Sequence, residues 1–192
     1  SLPKGNWHRF IDAKDIKDAG KKNTNEKNSY YTHSGWEVPG VEYNAGDFVF
    51  ITEAMFKTWA LLSLEKTTWP IKSIAAIAAS NFPRNIIKAN QGKGVVWVLA
   101  YDNDKAGLEA IHKFVPELIN MGEAYRVALT RPGYDWDDEY RNNKLDNRYL
   151  KESLWRGCVE TSDNYKKTAF WHWAKRQTSV VRYEHKCSLW RC

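Results

Sequence analysis

The sequence predicts an α/β fold: an open parallel sheet of about four strands, with helices on both faces and extensions at the N- and C-termini. Three observations carry this. Short apolar runs rich in β-branched and aromatic residues alternate four times with segments of helical period. The connections between them are short, which favours right-handed crossovers between parallel strands. Acidic residues stand immediately after three of the strands or the turns that follow them, along the edge where open α/β sheets bind ligands.

Residues 1–43 form an N-terminal extension, polar from Asp12 to Asn28 and then aromatic through Tyr30, Tyr31, Trp36 and Tyr43. A lysine-rich loop and a small hairpin are expected there, with residues 30–41 supplying a β element on the main sheet. Trp7, His8 and Arg9 are expected to fold back on the core rather than touch nucleic acid, because aromatics at this density usually bury something.

The main domain is read over residues 44–145. The turn signal Asn44-Ala-Gly-Asp47 leads into an apolar strand at 48–52, and Glu53 follows at once. Met55, Trp59, Ala60, Leu62 and Leu64 then mark a helix to about residue 66. Residues 73–79 read as a second strand, and 82–90 as a short helix closed by Gly92. The run 95–100, Val-Val-Trp-Val-Leu-Ala, has the continuous apolar character of a buried parallel strand. Polarity then inverts at Asp102 and Asp104. Ile111, Phe114, Val115, Leu118 and Ile119 repeat at helical spacing up to Gly122, with Pro116 expected to kink or restart the helix. A fourth strand at 123–129 is broken by Arg131-Pro-Gly133, and Tyr134-Asp-Trp-Asp-Asp-Glu139 follows.

Residues 146–192 form a basic, aromatic C-terminal extension. Residues 140–151 read as one basic helix, and 163–177 interleave Lys166, Lys167, Lys175 and Arg176 with Tyr165, Phe170, Trp171 and Trp173. Such interleaving suits single-stranded nucleic acid, but Phe170 and Trp173 at helical spacing also suit a buried stripe, which is the expected use. The net charge of +6 sits in this region: residues 1–46 sum to +1, 47–138 to −1 and 139–192 to +6.

No apolar run nears the roughly 20 residues that cross a bilayer, and no signal-peptide order opens the chain. A soluble, cytoplasmic protein without membrane contact is expected. Three cysteines, Cys158, Cys187 and Cys192, are too few for a disulfide framework, and the absence of a Cys-x-x-Cys pair argues against a zinc knuckle. A start on Ser1 rather than Met suggests a piece of a longer protein.

Each acidic cluster taken alone is explained by helix capping. In a parallel sheet, however, Glu53, the pair Asp102 and Asp104, and the cluster Asp135, Asp137 and Asp138 all emerge from one edge. Carboxylates brought together repel, and a divalent cation is the usual neutraliser.

Ile51-Thr-Glu53 and Asp102-Asn-Asp104-Lys-Ala-Gly107 resemble the TOPRIM domain of bacterial-type primases, topoisomerases and some nucleases, and Asp135-Trp-Asp-Asp138 resembles a segment of its primase-like phage and plasmid members. The resemblance covers about residues 44–145. It implies that Glu53 is a general acid or base, that Asp102 and Asp104 hold Mg2+ (with Mn2+ a substitute), and that Asp135 and Asp138 have a further metal or outer role. Ala54 stands where the family usually has glycine, and Lys57 where primase-like members have aspartate. Lys57, Lys105 and Arg131 are candidate phosphate contacts.

The implied activity is magnesium-dependent nucleotidyl or phosphoryl transfer by a DNA primase-type replication protein of a phage, plasmid or mobile element. DNA is the expected partner, with RNA, nucleotides, a helicase or another replication protein as further candidates. The alternatives are a TOPRIM nuclease, a topoisomerase fragment and a non-catalytic DNA-binding module. A small-molecule phosphotransfer enzyme on a similar sheet is a further class.

Overall fold

A computed structural model of the chain describes residues 7–9, 14, 17, 23–25, 35–64 and 71–167, with backbone alone at 7–9, 23–25 and 159–167. Strands β1 (Trp7–Arg9) and β2 (Asn23–Asn25) pair antiparallel, as a small hairpin would. The expected four-stranded sheet consists of β3 (Phe48–Thr52), β4 (Ile71–Ala75), β5 (Val96–Leu99) and β6 (Ala124–Val127). All its pairings are parallel, in the order β4-β3-β5-β6.

That order sets the site. From β3 the chain moves outward to β4, crosses back over β3 to β5, and continues to β6 on the far side. The direction of winding therefore reverses between β3 and β5, which opens a crevice at their C-terminal ends. Ile51 lies opposite Leu99, and the Ala100 amide donates to the Ile51 carbonyl at 2.9 Å. Glu53 and Asp102 consequently leave the sheet from adjacent strands at nearly the same height.

Among the described residues, five helices cover the two faces: α1 (Met55–Leu62), α2 (Arg84–Ala89), α3 (Lys105–Asn120), α4 (Trp136–Arg141) and α5 (Asn147–Lys167). Alternation along the strands divides the core. Val49, Ile51, Trp97 and Leu99 pack with Ile86 and Ile87 of α2 and with Ile111, Phe114, Val115 and Leu118 of α3. Phe50 and Val98 face the other way, toward Ala60 and Leu61 of α1, Trp136 of α4 and Leu150 of α5.

Several boundaries differ from the sequence expectation. The second strand ends at Ala75 rather than 79: Ala76 is fully enclosed and its amide still donates to the Thr52 carbonyl at 2.6 Å, but Ile77 turns the chain out of the strand with φ 73°. Pro116 neither ends nor restarts α3. Burial of Phe114, Val115 and Leu118 around it outweighs a proline cost of ~3 kcal/mol. The helix expected over 140–151 is two helices, divided where Asn143 adopts φ 53° and Asp146 accepts from the Tyr149 amide at 2.7 Å. The expected β element over 30–41 appears in its described part as a single bridge, Trp36 pairing with Ala75 at the outer side of β4. Residues 30–34 and 168–192 lie outside the described residues, so the readings of Tyr30, Tyr31, Phe170, Trp171, Trp173, Cys187 and Cys192 fall outside them as well.

Helix α5 is part of the core. Tyr149 and Leu150 are buried, the Leu129 amide donates to the Ser153 carbonyl at 3.0 Å, and Arg156 Nε donates to the Leu129 carbonyl at 2.9 Å. Gly157 is the residue that lets α5 come so close to β6. A Cβ built on it would lie 2.2 Å from the Val127 carbonyl oxygen, which explains a helix-interior glycine that otherwise costs about 1 kcal/mol against alanine. Gly157→Ala is expected to destabilise the protein by roughly 1–3 kcal/mol through overpacking, measured by urea denaturation; a variant as stable as the parent would show that the helix can withdraw from β6 without cost.

Candidate functional site

Glu53 leaves β3 through a turn built by two buried threonines. Thr52 Oγ1 donates to the Ala54 carbonyl at 3.0 Å and lies 2.7 Å from Thr58 Oγ1 in the first turns of α1. Ala54 precedes α1 with φ −141° and ψ 151°, extended backbone that any residue adopts. The alanine in place of glycine is thus compatible with the turn.

Asp102 and Asp104 leave β5. Asn103 Nδ2 donates to the Thr130 carbonyl at 2.7 Å, tying this turn to the loop after β6. Asp104 is exposed, and its Oδ1 accepts from the Gly107 amide at 2.8 Å as the N-cap of α3. Gly107 is needed for close approach: an added Cβ would stand 2.1 Å from the Asp102 carbonyl oxygen. The first turn of α3 therefore lies directly against the Asp102 backbone.

Asp135 and Asp138 form a capping box at the start of α4. Asp135 Oδ1 accepts from the Asp138 amide at 2.8 Å, and Asp138 Oδ2 accepts from the Asp135 amide at 3.2 Å. Between these acids Trp136 is fully buried, with its ring edge-on to Phe50 and its Nε1 donating to the Ala100 carbonyl at 2.9 Å. That bond fastens the α4 turn to the end of β5, two residues before Asp102.

These turns bring three acids together, around a lysine. Lys57 Nζ is 2.7 Å from Glu53 Oε1, contacts Asp102 Oδ2 more closely still, and is 3.7 Å from Asp135 Oδ2. Lys57 is only 8% exposed, unlike an ordinary surface lysine. Asp104 and Asp138 sit beside this group with oxygens engaged in caps, and Asp138 Oδ1 also pairs with Arg141 at 2.8 Å. Lys105 is exposed at the first position of α3. Arg131 is held in a fork on the buried Glu139, with both bonds at 2.8 Å, and lies over the Tyr134 ring.

Burial, together with a hydrogen bond shared with Glu53, pushes the Asp102 carboxyl up to about 7 against the opposing pull of Lys57. Burial works to lower the Lys57 ammonium, but hydrogen bonds and charge from Asp102 and Glu53 outweigh it and hold the group above its ordinary range. At the other end of α4, burial of Glu139 is outweighed by Arg131 and Tyr149, which keep that carboxyl low.

The donor set fits a hard divalent cation. Glu53, Asp102 and Asp135 offer carboxylate oxygens, and Asp102 Oδ1 is buried with no hydrogen-bond partner. Among the described residues, no three acidic, imidazole or thiol groups form a protein-only metal cage. Magnesium is commonly held by one or two carboxylates with waters and substrate phosphates, so the rim meets that requirement without a cage.

Sequence reasoning located Glu53, Asp102 and Asp135 but missed the inward position of Lys57 and the anchoring bond of Trp136. A signal for Lys57 was present: with Ala60 and Leu61 it falls at i, i+3 and i+4, on the buried face of α1.

Residues 50–140 match the family model described as Toprim-like, and the parallel sheet agrees with that fold. No curated protein matches the sequence. Among solved structures, a chain from the bacteriophage T7 lagging-strand DNA polymerase interacting with primase domains of two gp4 subunits, bound to an RNA/DNA hybrid and dTTP, aligns at 23% identity with TM-score 0.40. The alignment covers 59% of this chain and 56% of that one, so little more than half of the neighbour's length is represented here. Among the described residues, no helix is long and apolar enough to cross a membrane.

The raised Asp102 carboxyl carries a pH signature. Its folded value near 7 lies above the unfolded one near 3.8, so the folded state binds more protons between them and stability falls as pH rises through that window. Asp102→Asn, which mimics the neutral carboxyl, is expected to remove this component and to exceed the parent by roughly 2 kcal/mol above pH 7 without divalent ions, after discounting for partial exposure. Urea denaturation of both proteins from pH 4 to 8 measures it. Parallel stability curves would mean that Asp102 is ionised throughout.

Proposed function

We propose, on the premise that residues 50–140 form a Toprim-like domain, that this domain performs magnesium-dependent phosphoryl or nucleotidyl transfer on nucleic acid. The favoured form is a primase-like protein serving replication of a phage, plasmid or other mobile element, with DNA, RNA and nucleotides as substrates and a helicase or other replication protein as partner. A single observation carries the reading: Glu53, Asp102 and Asp135, from three separate turns, all lie within 4 Å of one cationic atom.

In this reading Asp102 and Asp104 hold Mg2+, with Mn2+ able to substitute. Asp135 faces the same point, and Asp138 supports it by fixing the α4 turn. When bound, the cation would stabilise charge developing on the attacking and leaving oxygens. The chain's own residues do the rest. Glu53 is the residue assigned to accept a proton from an attacking hydroxyl. Lys105, exposed at the first position of α3, is positioned to meet a phosphate near Asp104. Arg131 keeps a partly exposed guanidinium in the loop after β6, although its fork on Glu139 makes it first a structural cation.

A second reading is favoured by the Lys57 ion pairs: a Toprim-like module that binds nucleic acid without chemistry, its rim already neutralised. Cleavage, as in a nuclease or topoisomerase fragment, is the remaining alternative. A radiolabelled assay with single-stranded template, ribonucleotides and Mg2+ or Mn2+ separates the three by product: extended primer, shortened strand, or a complex without turnover.

Glu53→Gln is expected to lower turnover by about 10²–10⁴-fold, the usual weight of a general acid or base, while nucleic-acid affinity changes less than about threefold. Filter binding alongside the turnover assay measures both. Equal loss of binding and turnover would make Glu53 a structural residue.

A further inference from the structure

We infer that Lys57 is the resident counter-cation of the acidic rim, and that a divalent ion enters only by displacing its ammonium from Glu53 and Asp102. The inference rests on the proposed function in one respect, that the rim holds a divalent ion. It adds that this chain guards the rim with a cation of its own.

Three facts lead there. The ammonium is seated among carboxylates from three turns that are distant in sequence: Glu53 after β3, Asp102 after β5 and Asp135 before α4. It is enclosed rather than extended to solvent, at 8% exposure. It also engages the oxygens a metal would need, since Asp102 Oδ2 and Glu53 Oε1 are both its hydrogen-bond acceptors. Magnesium binds such oxygens at about 2.0–2.1 Å. An ion on Asp102 Oδ2 would thus stand within contact range of an ammonium on the same oxygen, with like charges opposed and little water between them. The two cations exclude each other at that oxygen.

Lysine suits such a role better than arginine would. Its ammonium is a compact point charge on a flexible stem of four carbons, able to leave one set of acceptors for another without a fixed planar geometry. Lys57 lies in the first turn of a helix whose other buried residues, Thr58, Ala60 and Leu61, are held in the core, so only the side chain has to move. Its charge in the free protein belongs to the carboxylates, which distinguishes this role from a standing phosphate contact.

Manganese binding provides the test, because it is read without turnover. Electron paramagnetic resonance titration of the full chain is expected to give at least tenfold tighter Mn2+ binding for Lys57→Met than for the parent. Lys57→Arg, which keeps the charge, should stay within about threefold of the parent. Circular dichroism confirms that each variant is folded. Should Lys57→Met fail to fold, the parent answers alone: acetic anhydride labelling of Lys57, followed by mass spectrometry, is expected to rise at least threefold on adding millimolar Mn2+, as the displaced ammonium becomes accessible. Tighter binding by the folded Met variant, or increased labelling of the parent, supports the inference. Equal Mn2+ affinity in parent and Met variant overturns it while leaving the metal rim intact, provided that Asp102→Asn abolishes the binding. No Mn2+ binding by the parent or the folded Met variant overturns both.

Discussion

Carboxylates crowded onto one rim repel one another, and the rest of the site depends on how that repulsion is met. Glu53, Asp102 and Asp135 face a single ammonium, that of Lys57. Two means of relief are present at once: the lysine supplies positive charge, and the Asp102 carboxyl, raised by burial and by its bond with Glu53, holds a proton longer than an ordinary aspartate. Neither removes the crowding. A metal ion would meet the same need with more charge, so metal and lysine are alternatives at one place rather than cooperating groups.

The crowding is produced by topology. Because β3 lies between β4 and β5, residues about fifty positions apart leave the sheet side by side, and no local feature has to draw them together. The third acid needs a separate device, since β6 lies beyond β5 and its loop could have gone elsewhere. Trp136 supplies it. Its ring fills the core between Phe50 and Tyr149, and its indole N–H satisfies the Ala100 carbonyl at the end of β5. A buried carbonyl left without that donor would cost about 1–3 kcal/mol, so the α4 turn is held in register with the Asp102 turn. The fork between Arg131 and Glu139 and the bond from Tyr149 to Glu139 brace the same turn from behind.

Much of this was legible in the sequence because strand and helix announce themselves by period, and because polarity inverts sharply at each strand end. Phe48–Thr52 reads directly from its apolar run, and Glu53 and Asp102 from the charge that follows. The end of β4 was not legible: a strand and a half-buried turn can have the same apolar composition, so residues 76–79 look like continuing strand. The split between α4 and α5 was hidden for a related reason, since Asn143 in the left-handed region is a polar residue among polar residues. Lys57 was singled out only as a candidate phosphate contact, and its inward position was missed. Its spacing from Ala60 and Leu61 puts it on the buried face of α1, but a lysine is ordinarily assigned to water, and only the three acidic turns around it show what receives its charge. Asp104 and Asp138 illustrate the opposite difficulty, because capping and ligation ask for the same residue at the same place, and each is seen capping.

That overlap need not force a choice between structural and functional roles. A carboxylate has two oxygens, and Asp135 divides them: Oδ1 accepts from the Asp138 amide while Oδ2 faces Lys57. Asp104 likewise commits Oδ1 to the Gly107 amide. Capping through one oxygen fixes the direction of the other, so the cap at the helix N-terminus also sets where the second oxygen points. Asp102 differs, because the α3 turn presses on its backbone at Gly107 and no amide bonds its carboxylate. Its Oδ2 goes to Lys57 and its Oδ1 is left buried and unpaired. An unpaired buried oxygen is costly, and a fold shaped only for stability would have solvated or bonded it. Its retention where the turns meet sets that cost beside the Lys57 ammonium.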